Sequence, residues 1–208
     1  LTPLSYIAGA LVGERQVLHK GAEKSAAEAF AEEGISPIHL KPKEALALMN
    51  GTSVMSALTA IAMQQARRLS DAATRMTSMT CLAILGNPRH FDVRLFNAKP
   101  HQGQMRVAAQ IREDLAPFAA SHEASRMQDR YSVRCAPHVI GVLQDALPGL
   151  DAVLTTEINS ANDNPLFDPE TGDVLHGGHF YGGHACYVAD TLKVQVANLA
   201  DLMDRQLA

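Results

Sequence analysis

The sequence has no tryptophan, and aromatic side chains account for only 5% of its 208 residues. Cysteine is scarce as well: Cys81, Cys135 and Cys186 lie far apart, which predicts reduced thiols in a cytoplasmic protein and no disulfide framework. No uninterrupted apolar run approaches the roughly 18 residues that cross a bilayer. The net charge is −4 without a basic block, which is not typical of nucleic-acid binding. The composition therefore favours a globular protein with neither a membrane nor a nucleic acid as partner.

Apolar residues recur at helical spacing along most of the chain. The longest such stretch, from Ser53 to about Leu85, contains neither Gly nor Pro, and a helix of that length is typical of a helical bundle or an oligomer core. Pro3 suits the first turn of a helix, where its missing N–H needs no partner. Residues 22–35 are predicted to be a surface helix or a mobile excursion ending at Gly34. Further helices are predicted at 43–50, at 101–115, at 138–158 with a kink at Pro148, and from about Gly183 to the end.

One block, about residues 159–182, lacks the helical pattern. Its Asp-Asn-Pro, Asp-Pro and Thr-Gly-Asp sequences are turn signals, and they predict a small hairpin whose arms are Leu166-Phe167 and Val174-Leu175. The expected fold class is mainly α, a long-helix bundle with one small β-hairpin or loop excursion. Because the chain begins at Leu1 and stops within an amphipathic pattern, residues 1–208 are expected to be one partial domain of a longer polypeptide.

Polar residues interrupt the helical pattern at two places before that block. Asn50-Gly51-Thr52 is interpreted as a helix junction, with Asn50 in a left-handed turn and Thr52 as an N-cap. Gln128, Tyr131 and Arg134 follow one another at intervals of three, which in a helical turn puts them near one face. An arginine there can hold a carboxylate with two hydrogen bonds, and a tyrosine can relay a proton. The alternative is a solvated loop with a surface salt bridge.

A third polar stretch, HGGHFYGGH, begins at His176. Its histidines, which include His179 and His184, allow a metal site with Cys186 as a further ligand, but zinc ligands are usually paired at tighter spacings. The glycine pairs favour close approach of the backbone to a small ligand. Phe180, between the glycine pairs, is then expected to form an apolar wall of the pocket.

Five segments, namely LTPLSYIAGALVGE, KEALALMNGTS, QDRYSVRCAP, NDNPLF and HGGHFYG, occur in this order from one end of the chain to the other. Together they resemble the aromatic amino acid ammonia-lyase family, which includes histidine, phenylalanine and tyrosine ammonia-lyases and the related aminomutases. The resemblance implies the central part of a much longer chain, with a fumarase/aspartase-type helical bundle. It also implies a homotetramer whose active sites are shared between subunits.

The resemblance further implies an activity and a prosthetic group. Ammonia would be eliminated from an L-amino acid, Phe, Tyr or His, to give an α,β-unsaturated acid, and the His-Gly-Gly form at His176 favours Phe or Tyr. The group is 4-methylidene-imidazol-5-one (MIO), expected from an Ala-Ser-Gly tripeptide upstream of Leu1 that is not in this sequence. The alternatives are an aminomutase, a catalytically inactive helical homologue, and a histidine-rich metal-binding module.

The resemblance also implies roles for individual residues. Arg134 would pair with the substrate carboxylate, and Asn50 would form hydrogen bonds near MIO and the substrate amine. His179 stands where the family commonly has Asn, which changes the hydrogen-bonding pattern at that position. His184 and Cys186 are expected to be core or interface residues. No metal ligand is implied, and the implied site residues are Asn50, Gln128, Tyr131 and Phe180 for catalysis, and Arg134, Asn164 and His179 for substrate binding.

Overall fold

A computed structural model describes residues 2–119, 121 and 123–208, with only the backbone described at 2 and 3. Their contacts separate into two compact units. The first unit comprises the residues up to Val54 together with Ser160–Gly182, and the second comprises Met55–Asn159 and Gly183–Ala208. That residues 1–208 form one partial domain of a longer chain stays a prediction.

The first unit contains short helices and two hairpins. The predicted hairpin is confirmed with the predicted arms, because Leu166 pairs with Leu175 and Phe167 with Val174 in antiparallel register. The bounds of its elements are α1 Thr2–Leu11, β1 Gln16–His19, β2 Ala22–Ser25, α2 Ala26–Glu33, α3 Glu44–Asn50, β3 Leu166–Phe167 and β4 Val174–Leu175.

The hairpin formed by β1 and β2 was not predicted, and the helix expected from residue 22 begins only after it. Lys20 and Gly21 connect the strands, both at positive φ (51° and 82°), which is the conformation that two-residue hairpin turns require. Ser25 ends β2 and caps α2: its Oγ accepts from Glu28 N at 3.2 Å, and Glu28 Oε2 accepts from Ser25 N at 3.0 Å. The helical prediction for residues 22–25 is therefore wrong.

The second unit is helical, and the mainly α fold class is confirmed. The predicted helices are present with their ends shifted by a few residues; α4 ends two residues before Leu85. Single turns of 3₁₀-helix lie at Pro88–Phe91 and Ala116–Phe118. The α-helices of this unit are α4 Ser53–Ala83, from Met55 onward, α5 Val93–Asn97, α6 Gln102–Leu115, α7 Tyr131–Arg134, α8 Ala136–Ile158 and α9 Gly183–Leu207.

Helices α6 and α8 cross at two glycines. A Cβ added at Gly103 or at Gly141 would overlap the backbone of the other helix. The approach also brings Asp145 Oδ1 within 2.6 Å of Gly103 N, so the aspartate of α8 accepts from the otherwise unpaired first turn of α6. The largest fully buried side chains of the core include Phe91, Phe96, Ile111, Ile140, Leu143 and Leu154.

Among the residues that the structure describes, two helical stretches are long enough and high enough in mean hydropathy to cross a membrane, Glu44–Ala83 and Tyr131–Ile158. Their hydropathy is an average over a window that contains polar residues, which is why no uninterrupted apolar run marks them in the sequence. Core helices of soluble proteins pass the same test, so the finding is weak evidence for a membrane location.

Candidate active site

The short helix α7 holds Tyr131 and Arg134 against each other. The guanidinium carbon of Arg134 lies 5.3 Å from the centre of the Tyr131 ring, within the range of a cation–π contact. Arg134 Nη1 lies 3.7 Å from Cys135 Sγ, a weak acceptor, and Arg134 Nε is buried with no hydrogen-bond partner in the described chain. Tyr131 is 71% exposed. This turn therefore presents a cation with unused donor capacity beside an accessible phenol.

Gln128 does not share the helical face predicted for it. It is exposed and lies in a bend, whereas α7 begins three residues later at Tyr131. The bend is fixed by its neighbours, because Asn87 Nδ2 donates to Met127 O at 3.0 Å. The prediction of a common helical face holds only for Tyr131 and Arg134, and the catalytic role of Gln128 stays a prediction.

Asp129 anchors this segment and was not singled out from the sequence. Its buried carboxylate accepts from Asn87 N at 2.5 Å, and its own N–H donates to His90 Nε2 at 3.0 Å. Burial lowers the pKa of His90 despite the nearby carboxylate, so a neutral imidazole accepting through Nε2 fits better than an ion pair with Asp129. The signal available in the sequence was an acidic residue between Gln128 and Arg130.

Gly86 and Cys81 complete the surroundings of the Asp129 carboxylate. A Cβ at Gly86 would lie 2.9 Å from Asp129 Oδ2, closer than real Cβ contacts come. Burial, followed by the charge of Asp129, raises the pKa of Cys81 to about 11. Cys81 is therefore a core thiol and not a nucleophile.

An open groove of about 670 Å³ lies beside Tyr131, between α7, α8 and α9. On one side His138 packs against Phe96 with ring centres 5.2 Å apart. Burial, and then the charge of Lys99, lowers the pKa of His138, which favours a neutral ring there. The polar residues of the groove include Arg130, Tyr131, Ser132, Asn198, Asp201 and Arg205.

In the first unit, Lys43 connects the start of α3 to the Asp-Asn-Pro loop. Its Nζ forms an ion pair with Asp163 and donates to Asn164 O at 3.0 Å. The ammonium group lowers the pKa of Asp163. Asn164 Oδ1 in turn accepts from Gly177 N at 2.7 Å. These bonds bring the predicted Asn164 next to the glycine-rich turn that begins at His176.

Asn50 is the last residue of α3 and is half-buried. Asn50 is not among the residues with positive φ, so the left-handed turn predicted for it is wrong, and Gly51 follows in an extended conformation at φ −67°. A Cβ at Gly51 would lie 3.6 Å from Asn162 O, so this end of α3 lies against the loop that carries Asn164. Within the first unit, the predicted residues Asn50 and Asn164 therefore belong to neighbouring segments.

His179 and Phe180 lie in an exposed turn in which Tyr181 N donates to Gly178 O at 2.9 Å. A Cβ at Gly178 would meet no atom within 4 Å, so the chain itself leaves space at this position. His184 and Cys186 are exposed, so they are not core residues of this chain, and the alternative that they lie at an interface stays a prediction. Among the residues that the structure describes, no three His, Cys, Asp or Glu side chains are grouped to hold a metal ion.

The family model described as aromatic amino acid lyase matches residues 1–208. Histidine ammonia-lyase from Deinococcus radiodurans is 40% identical over 210 residues, covering 99% of this chain and 40% of that protein. Histidine ammonia-lyase from Gloeobacter violaceus is also 40% identical, covering 99% of this chain and 41% of that protein.

Solved structures show the same likeness. Phenylalanine ammonia-lyase from Rhodosporidium toruloides superposes with a TM-score of 0.88 at 36% identity, covering 100% of this chain and 33% of that chain. Phenylalanine aminomutase from Pantoea agglomerans gives a TM-score of 0.86 at 34% identity, covering 99% of this chain and 44% of that chain.

The helical fold with its small hairpins is thus that of the ammonia-lyases. The chain belongs to the aromatic amino acid lyase family, and the resemblance found in the sequence is confirmed. It spans about 40% of the length of the histidine ammonia-lyases that it matches.

Proposed function

We propose that this chain is the central part of an MIO-dependent ammonia-lyase that eliminates ammonia from an L-amino acid, Phe, Tyr or His, to give an α,β-unsaturated acid. The observation that carries the proposal is Arg134. Its buried Nε has no partner in the described chain, and its guanidinium stacks on the ring of Tyr131. Family membership supplies the reaction class, because relatives bear the names of histidine and phenylalanine ammonia-lyases.

Arg134 is proposed to bind the substrate carboxylate. A guanidinium stays charged at any physiological pH and presents five donors that match a carboxylate with two parallel bonds. Because the chain itself encloses Nε, the carboxylate would bind the Nη groups, of which, in the described chain, Nη1 has only the weak acceptor Cys135 Sγ at 3.7 Å. Holding the substrate in this way would orient its β-carbon for the elimination.

Tyr131 is proposed to take part in proton transfer. Elimination moves the β-proton to a base, turns the C–H bonding pair into the new C=C bond, and lets the nitrogen leave as ammonia with the C–N pair. The Tyr131 hydroxyl is on an accessible side chain next to the cation of Arg134. A phenol in such a position can donate or accept a proton in the transition state.

MIO, when present, supplies the electrophile that makes the nitrogen a better leaving group. The chain contains no Ala-Ser-Gly sequence, so the group is proposed to form from residues upstream of Leu1. In the first unit, Asn50 and Phe180 are proposed to hold it. Two observations support the binding of MIO by these residues: the open space at Gly178 and the exposed ring of Phe180, which offers an apolar face. His179, adjacent to that ring, is proposed to contact the substrate.

A homotetramer with shared active sites is proposed as the assembly. Support comes from α4, which leaves many large apolar side chains exposed, and such surfaces usually mark association sites. These side chains include Leu58, Ile61, Leu69, Met76 and Met79. A cytoplasmic location is proposed because Cys81, Cys135 and Cys186 are all free thiols.

The test uses the longer protein that contains this chain. Its peptides preceding Leu1 are analysed by mass spectrometry, and ammonia release is assayed with Phe, Tyr and His. An Ala-Ser-Gly peptide lighter by two waters, with ammonia released from one of these substrates, is expected. An unmodified tripeptide and no ammonia from any of the three would contradict the proposal and favour an inactive helical homologue.

An aminomutase is the second candidate, favoured by the likeness to the phenylalanine aminomutase from Pantoea agglomerans. The same assay distinguishes the two activities. A lyase accumulates ammonia and the unsaturated acid in equal amounts, whereas an aminomutase converts the α-amino acid into its β-isomer.

A further inference from the structure

We propose that Gln206, near the end of α9, is a positioning residue that fixes the turn carrying Tyr131 and Arg134. The inference rests on the proposed function, because it concerns where that function's carboxylate-binding and proton-transfer groups are held. Gln206 lies outside the segments that identified the family, and it does not belong to the residues assigned above to substrate or prosthetic group.

Gln206 connects three helices through one amide group. Its Nε2 donates to Ser132 O, in α7, at 3.0 Å and to Thr77 Oγ1, in α4, at 2.9 Å. Ser132 lies between Tyr131 and Arg134 in the sequence, so a bond to its carbonyl acts on the backbone of the turn itself.

The chemistry of its partners fixes the orientation of this amide. A backbone carbonyl can only accept, so the atom facing Ser132 O must be the NH₂ of the glutamine. Thr77 Oγ1 donates its own hydrogen to Ala73 O at 2.8 Å, so it too accepts from Gln206. Both protons of the amide are therefore used, and no flipped arrangement satisfies both partners.

A further hydrogen bond, donated by Ser132, also joins the turn to α9. Ser132 Oγ donates to Arg205 O at 3.0 Å, and Arg205 is in the last turn of α9, whose carbonyls have no partner within the helix. The turn and the helix end thus satisfy each other through Ser132, while Gln206 adds the connection to α4. Ser132 is buried and Thr77 is fully buried.

The turn needs such external bonds because it is short. Helix α7 has only four residues, too few for a stable helix on its own. The position of Arg134 relative to the helical bundle then depends on the hydrogen bonds that α9 makes with Ser132. Misplacing a reacting group by about 1 Å can cost about 100-fold in rate. Removing these hydrogen bonds should therefore have a larger effect on the rate of catalysis than on the free energy of unfolding.

The chain offers a matched pair of substitutions for the test. Thr77 and Thr74 are both buried in α4, and each donates its hydroxyl to the carbonyl four residues earlier, at 2.8 and 2.9 Å. Only Thr77 accepts from Gln206. Thr77→Val and Thr74→Val therefore remove equivalent hydrogen bonds within α4. Only Thr77→Val also removes the contact with Gln206.

We expect Gln206→Leu, in the longer protein, to lower kcat by about 10-fold and to raise KM. This corresponds to a displacement well below 1 Å. Thr77→Val should lower kcat by a smaller factor, and combining it with Gln206→Leu should add little, because both act on one contact. Thr74→Val should keep the kcat of the unsubstituted protein. Similar unfolding temperatures for the two threonine variants would show that the difference in kcat is not a loss of fold.

Equal kcat for Thr77→Val and Thr74→Val, in a folded and active protein, would overturn the inference and leave the proposed function intact. Amide hydrogen exchange across residues 130–135 gives a readout that needs no activity. Faster exchange there in Gln206→Leu than in Gln102→Leu, the same change at an exposed glutamine, is expected. If the unsubstituted protein releases no ammonia, the proposed function fails, and unchanged exchange in Gln206→Leu would separately overturn the positioning role.

Discussion

The two turns that carry predicted site residues are built in opposite ways. The turn at Tyr131–Arg134 follows the buried carboxylate of Asp129, and Ser132 bonds to the end of α9. The turn at His176–Phe180 is exposed; its bonds include Gly177 N to Asn164 Oδ1 and Tyr181 N to Gly178 O. The first turn is therefore part of a packed helical unit, whereas the second belongs to an exposed loop.

The contrast indicates how each turn meets a ligand. A guanidinium that binds a carboxylate gains from being held rigidly, because its hydrogen bonds depend on direction. A glycine turn that lets a ligand approach the backbone needs free space instead, and Gly178 has it. Substitutions near the first turn should therefore affect both folding and catalysis, whereas substitutions in the second should affect catalysis alone.

The largest effect is expected from Arg134→Ala. Losing charge-assisted hydrogen bonds to a carboxylate costs about 1.5–3 kcal/mol, so kcat/KM should fall by about 100-fold, with KM raised strongly and kcat lowered. Steady-state kinetics in the longer protein measures both constants. Arg126→Ala removes an exposed arginine nearby in the sequence and should leave them unchanged. Normal kinetics in Arg134→Ala would exclude the carboxylate role.

The next effect concerns stability and compares a glycine from each unit. Gly141→Ala places a Cβ on the backbone of α6. Overpacking of this kind costs about 3 kcal/mol, and the gain of about 1 kcal/mol in helix propensity offsets only part of it. We expect a net loss of about 2 kcal/mol in the free energy of unfolding, measured by chemical denaturation.

Gly178→Ala is the matched substitution in the exposed turn. Because no atom lies within 4 Å of the added Cβ, the free energy of unfolding should change by less than about 0.5 kcal/mol. Equal losses in the free energy of unfolding for Gly141→Ala and Gly178→Ala would contradict the contrast between a packed unit and an open turn.

A smaller effect is expected from Asn164→Ala. The substitution removes the acceptor for Gly177 N, a bond worth about 1 kcal/mol, and should lower kcat/KM by about fivefold and the unfolding temperature by at most about 4 °C. Asn164→Asp keeps an oxygen acceptor and should retain more activity, and Asn97→Ala, at an exposed asparagine, should retain all of it. A large drop in the unfolding temperature of Asn164→Ala would show that this bond is structural.

Sequence reasoning recovered the elements whose signals are local. Long periodic stretches gave the helices, and the turn signals around Asp168 and Gly172 gave the second hairpin with its arms. The first hairpin was missed because its loop, Lys20-Gly21, carries only one glycine as a signal. Residues 22–25 then continued the polar pattern of α2, so the strand could not be distinguished from the helix.

The residues of the candidate site also divide into those with a local signal in the sequence and those without one. Tyr131 and Arg134 could be chosen because their segment resembles a family and their spacing suits a helical turn. Asp129 and Gln206 could not, because their importance depends on contacts with Asn87 and Thr77, residues 42 and 129 positions away. Packing between distant segments has no local signature in a single sequence.

The smallest effect concerns His138, on the packed side of the comparison. Burial, and then the charge of Lys99, lowers the pKa of this histidine. An unfolded histidine has a pKa of about 6.5, so as the pH falls through that value the unfolded chain takes up a proton that the folded chain does not. Stability contributed by the neutral ring is therefore lost below about pH 6.5, and the loss becomes constant once the pH is below the folded pKa.

Replacing His138 with Gln should make the protein less sensitive to acid. The fall in unfolding temperature between about pH 7.5 and about pH 5.5, which bracket the ordinary histidine pKa, should be smaller in His138→Gln than in the unsubstituted protein. Some fall should remain, because burial also lowers the pKa of His90. His101→Gln, at an exposed position, should leave the fall unchanged. If His138→Gln shows the same fall as His101→Gln, the ring of His138 is protonated as readily in the folded protein as in the unfolded chain, and its contact with Phe96 does not favour the neutral form.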